Sequence, residues 1–113
     1  MDEAEIRSFF APVLAVRTRR MFGGVGIYAG DGPMFALLLD GTLYLKTTPS
    51  SVPRFEEAGS EPFVYEAKGL PRQLSYWSLP AEAYDDAGAL NRWAGMALEA
   101  AREAAAGKIR QRG

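Results

Sequence analysis

Histidine and cysteine are both absent from this 113-residue chain. Without cysteine there is no disulfide, no thiolate nucleophile and no thiolate metal ligand. Without histidine the commonest general base and metal ligand are gone, and with them catalytic triads and most zinc chemistry. Long apolar runs are missing too. The longest is MFALLL at 34–39, far short of the ~20 residues a membrane helix needs, so no membrane association is expected. Nor is positive charge in excess: ten Arg and three Lys face fourteen acids, for a net charge of −1. Non-specific nucleic-acid binding is driven by an overall basic surface, which leaves only a local patch for that purpose. The opening MDEAEIRSFF is acidic where a secretory leader is basic and then apolar. A cytosolic protein is expected.

What is present describes one small folded domain. Apolar residues make up 48% of the chain and charged residues 24%, the balance of a globular protein rather than a disordered tail. A chain of this size buries about two-thirds of its extended surface, enough for one core. Residues 1–107 are read as that domain, and KIRQRG at 108–113 as a frayed basic tail.

Ile6, Phe9, Phe10, Val13 and Leu14 fall on one face of an amphipathic helix. Asp2 suits its cap, and Pro12 should stop it near Phe10. From Arg17 the period changes to two, and 17–29 reads as strand. Gly30-Asp31-Gly32-Pro33 reads as a turn, and MFALLL as a strand buried on both faces. Asp40-Gly41 is a two-residue hairpin signal, with TLYLK (42–46) alternating after it. Residues 48–59 suggest a short helix with a serine cap and a stop at Gly59. EPFVYEA and RQLSYWSL follow as strands across a turn at 68–71. A last helix from about Asp86 to Ala106 carries Leu90, Trp93, Ala94, Ala97, Leu98 and Ala101 on one face, with Gly107 as its stop. The order α-β-β-β-α-β-β-α predicts a two-layer α+β domain, an antiparallel sheet with helices packed on it.

The glycine-rich RRMFGGVGIYAGDG (19–32) is the obvious candidate for a phosphate loop, because Gly24-Val-Gly26-Ile-Tyr-Ala29 matches a loose G-x-G-x-x-A pattern. A dinucleotide fingerprint needs a helix to start immediately afterwards, so that its N-terminus meets the pyrophosphate. Here a strand continues, and no G-K-[ST] exists for a Walker loop. The glycines are better read as permitting a bulge, or the close approach of a neighbouring backbone.

Arg17, Arg19 and Arg20, with Lys46, Lys68 and Arg72 as partners, form the candidate patch for phosphates or an acidic partner, and Trp77 is a candidate anchor for protein binding. Arg17 and Arg19 share a strand face and Arg20 lies opposite. The simpler account of the same arginines is a solvated sheet edge, where charge discourages edge-to-edge pairing. The pairs Glu56-Glu57 and Asp85-Asp86 are adjacent in sequence, so on a helix they diverge and make no acid–base dyad. A Ser75 nucleophile with Lys46 or Lys68 as base has no motif framing it. No enzyme activity, cofactor or metal is expected.

Four ordered stretches, RRMFGGVGIY (19–28), LYLK (43–46), EPFVYEAKG (61–69) and SYWSLP (75–80), together resemble the N-terminal domain of the TfoX/Sxy family. The resemblance runs through residues 6–105. It implies a two-layer α+β fold like that of the type III secretion chaperones, and no established catalytic residues. In full-length members the domain belongs to regulators of natural competence that act with the catabolite activator protein at competence promoters. Those regulators carry a second, C-terminal domain, whereas this chain ends after its last helix. What the resemblance implies most directly is therefore the fold and a protein-interaction role. Arg19 and Arg20 match the family pattern, which fixes no binding role for them. The leading expectation is a small cytosolic interaction module with a protein partner, such as a transcription regulator, and with homodimer formation as a further expectation. Direct DNA binding through the arginines is the first alternative, and a small-ligand site or an unrecognised enzyme the second.

Overall fold

A computed structural model describes residues 1–21 and 23–112. Helix α1, Glu3–Phe10, opens with a reciprocal cap: Asp2 accepts from the Glu5 amide while Glu5 accepts from the Asp2 amide. Such a cap contributes about 1 kcal/mol. Ile6 and Phe10 are its buried face, and the helix stops two residues before Pro12.

Six strands follow: β1 Val16–Met21, β2 Gly24–Ala29, β3 Met34–Leu39, β4 Thr42–Lys46, β5 Pro62–Ala67 and β6 Leu70–Ser78. They make one antiparallel sheet in the spatial order β1-β2-β3-β4-β6-β5. The stretch read as one strand from Arg17 to Ala29 is a hairpin. Met21 pairs with Gly24, and of the two residues between them Gly23 has a φ of 74° while Phe22 lies outside the described residues. Asp40-Gly41 and Lys68-Gly69 both place two consecutive residues at positive φ, the geometry that matches the twist of a two-residue hairpin. Pro71 lies inside β6 rather than in the preceding turn. It is tolerated because β6 pairs with β4 only over residues 76–78, so Pro71 sits in an edge-like setting.

Helix α2, Val52–Glu57, ends where Gly59 takes a φ of 81°. Ser51 precedes it but makes no side-chain cap; its hydroxyl turns back to the Thr48 backbone. The short α3, Glu82–Asp85, was not foreseen in the sequence. Helix α4 is Ala87–Arg112, entered through Asp86, whose carboxylate accepts from the amides of Gly88 and Ala89. It continues through Gly107, the residue read as its stop, because a lone glycine costs only about 1 kcal/mol in a helix and does not end it. Gly113 is outside the described residues.

The four helices of the described residues lie on one side of the sheet. Ile6 and Phe10 from α1, Phe55 from α2, Ala83 from α3 and Leu90, Trp93, Ala94 and Ala97 from α4 pack with Ile27, Leu43, Leu45 and Trp77 in one core. Phe35 joins them through a bulge. Ile27 pairs with Ala36 and Tyr28 with Met34, so Phe35 is the extra residue on β3 and is turned toward the helices beside Ala36. There it meets Phe10 edge-on, ring centroids 5.7 Å apart.

Candidate functional site

Among the described residues the sheet's other side carries no helix, and strand alternation determines what it presents. Leu43 and Leu45 belong to the helix-side core, so Tyr44 and Lys46 face the open side. The register with β4 places Tyr76 and Ser78 beside them and puts Trp77 opposite. Trp77 is buried in the core at 8% exposure. The candidate protein-binding anchor is therefore a packing residue, because the odd positions of β6 at this end point under the helices.

Leu37, Phe63 and Tyr76 form a second, smaller apolar cluster on the open side, with Met34, Leu39 and Tyr44 packed around it. Next to that cluster runs a groove of about 440 Å³ lined by Leu37, Leu39, Phe63, Tyr65 and Leu74. These residues come from β3 and from the β5–β6 hairpin, which flank β4. They share a groove because β6 is irregular: Pro62 pairs with Trp77 but Val64 with Gln73, so β6 carries extra residues and bends the hairpin over the open face. Tyr65 and Leu74 stand 41% and 39% exposed at its lip. Sequence reading missed this groove. Its only local trace was the two-sided burial expected of MFALLL, which the structure shows in Phe35, Ala36, Leu37 and Leu38.

The six candidate cations do not converge on one patch. Arg17 and Arg19 point to the open side from the edge strand β1, paired with Tyr28 and Gly26. Arg17 donates to the Gly30 carbonyl at 2.6 Å and lies 4.6 Å over the Tyr28 ring. Arg20 points to the helix side and pairs with Glu3 at 3.5 Å. Its side chain is 87% exposed, so the pair contributes at most about 1 kcal/mol. Lys68 is at the tip of the β5–β6 hairpin, and Arg72, on β6, pairs with Tyr65 on β5. Four strand spacings separate β1 from β6, on the order of 20 Å. Lys46 stands between the two ends. It donates to the Ser75 hydroxyl and lies 5.2 Å from the Tyr76 ring centre. The structure thus brings Lys46 within hydrogen-bond reach of Ser75, two of the residues considered together in the sequence. Among the described residues no group of three or more acids could hold a metal ion, and no helix is long and apolar enough to cross a membrane.

Burial pushes the Tyr76 phenol up from 10.0 to about 12, with nearby Tyr28 adding to the shift. The folded state then holds this proton more tightly than the unfolded chain does. Stability from this group is intact below pH 10 and declines as pH rises from about 10 to about 12, by up to about 1.4 kcal/mol per pH unit. Urea denaturation across that range should show the decline, and Tyr76→Phe should remove this part of it. An unchanged slope in the variant would mean that Tyr76 is open to water.

Residues 8–101 match the TfoX N-terminal domain. A curated relative, the DNA transformation protein TfoX1 of Aliivibrio fischeri strain ES114, is 39% identical over 61 residues. That alignment covers 54% of this chain and 29% of the relative. The glycine hairpin, the alternating β4 and the β5–β6 hairpin all lie within the matched span, and the chain belongs to the TfoX N-terminal domain family.

Proposed function

We propose that this domain is a non-catalytic protein-interaction module that binds its partner with the open face of the sheet. The observation that carries the reading is the groove between β3 and the β5–β6 hairpin. An antiparallel sheet normally exposes a polar outer face, whereas here Leu39, Tyr65 and Leu74 are left without a covering layer. Apolar surface concentrated in this way marks an interaction site. The relative's name associates it with DNA transformation, and we extend to this chain a regulatory role in that process, exercised in the cytosol through a protein such as a transcription regulator. Self-association through the same face is the competing use of it.

The test is an affinity pull-down of the tagged protein from cytosol, with and without nuclease. A Leu74→Glu variant and an Arg19→Glu/Arg20→Glu variant run alongside. Leu74 is at the groove's lip and outside the main core, so its substitution leaves the fold intact. We expect a protein that survives nuclease and is reduced at least about tenfold by Leu74→Glu, equivalent to 1.4 kcal/mol. Recovery only without nuclease, and lost in the double arginine variant, would replace this reading with DNA binding.

A further inference from the structure

We infer that the groove accepts an amphipathic helix bearing carboxylates at both ends of its apolar stripe, which rests on the interaction reading above and names the partner's chemistry. The strands hold five cations, Arg17, Arg19, Arg20, Lys46 and Arg72, and one acid, Glu66. Glu66 is the neighbour of Tyr65 in β5 and points to the opposite side. Every charged strand residue facing the open side is therefore a cation: Arg17 and Arg19 at one end, Lys46 in the middle, Arg72 at the other. Glu61, one residue before β5 and bonded through its backbone to Ser78, is an acid on this same side, outside the groove's lining. Among the described residues no ion pair engages Arg17, Arg19 or Arg72.

This charge pattern selects among occupants. A second copy would set two cationic faces against each other. The chain's own C-terminal sequence, KIRQRG, is basic as well and is repelled for the same reason. Single-stranded nucleic acid needs free ring faces on which bases stack. Here Arg17 lies over Tyr28, Lys46 over Tyr76, and Phe63 stacks against Tyr65, while the groove itself is walled by Leu37, Leu39 and Leu74. Aliphatic walls suit leucine-like side chains presented at i, i+3, i+4 and i+7. The two arginine ends are on the order of 20 Å apart, the length of about 13 helical residues. A helix laid there would supply the layer that this side of the sheet lacks.

The probe is a synthetic 18-residue helical peptide with leucines at those spacings and glutamates flanking the stripe, titrated into the isotope-labelled full chain and followed by amide NMR shifts. A matched peptide with lysine for every glutamate, and a 12-nucleotide single-stranded DNA, serve as controls. The glutamate peptide is expected to shift the amides of Leu37, Leu39, Phe63, Tyr65 and Leu74. It should bind at least about tenfold tighter than the lysine peptide, and at least about tenfold weaker to the Arg19→Glu/Arg72→Glu variant. Leu74→Ser tests the groove independently of charge and should weaken it too. Absence of binding, shifts confined to the helix layer, equal affinity of the two peptides, or tighter occupation of the face by the DNA would each overturn the inference. If the pull-down still yields a protein lost in Leu74→Glu, the interaction reading survives and only the acidic-helix partner is removed.

Discussion

Phe35→Ala is expected to destabilise the domain by about 3–5 kcal/mol. The ring is fully buried and meets Phe10 edge-on, so truncation loses its transfer free energy and leaves a cavity among side chains held on several elements. Against a total of about 5–15 kcal/mol for a domain of this kind, that is enough to leave a substantial unfolded fraction near physiological temperature. The substitution also reports on the bulge. Regular alternation from Leu37 and Leu39 would send Phe35 to the open side, where an alanine would cost far less. A loss below about 1 kcal/mol in chemical denaturation would mean that the bulge opposite Ile27 and Tyr28 does not form.

Gly24→Ala and Gly26→Ala should differ sharply although the two glycines are neighbours on one strand face. A Cβ on Gly24 would lie 2.3 Å from the Leu38 carbonyl oxygen, an atom fixed by the β2–β3 ladder. Relief requires the two strands to part, and overpacking of that kind costs about 1–3 kcal/mol or more. A Cβ on Gly26 would meet the Met34 sulfur at 2.7 Å and the Met21 methyl at 2.8 Å. Both are ends of flexible side chains that can swing away, so this change should cost less than about 1 kcal/mol. Thermal unfolding of the two variants separates the cases, and equal midpoints would contradict the close strand contact. The same contact explains the glycine-rich stretch. Its glycines serve strand approach and turning, with a hairpin where a phosphate loop would need a helix.

Much of the architecture could be read from residue order because local chemistry dictated it. Asp2, Pro12, Asp40-Gly41 and Gly59 each act within a few residues, and each starts, ends or turns an element where expected. The missed hairpin between β1 and β2 is marked by Gly23-Gly24, a pair that reads equally as a bulge within one continuous strand. Gly107 misled in the other direction, because a glycine is a stop only where the helix has no reason to continue. The site was less legible than the fold. Leu37, Leu39, Phe63, Tyr65 and Leu74 span 38 positions of sequence and meet only because an irregularity in β6 bends a hairpin. The basic residues were visible singly, but their distribution follows from strand order, which places β6 between β4 and β5. Trp77 and Tyr76 lie on opposite faces of β6 and both are buried, Trp77 in the helix-side core and Tyr76 in the smaller cluster on the open side.

That hairpin has an energetic consequence of its own. Beyond residues 76–78 and the single bonds at either end, from the Thr47 amide to Ser75 and from the Leu79 amide to Leu43, β5 is the one strand paired with β6 among the described residues. A two-stranded ribbon alone is marginally stable in water. The β5–β6 arm can therefore open at a free-energy cost well below that of unfolding the helix-covered strands. It forms one wall of the groove, so an occupant that bridges the arm to β3 would close this low-energy opening. Binding and local rigidity would then be thermodynamically linked, and the most easily opened part of the sheet would be the part that registers occupancy.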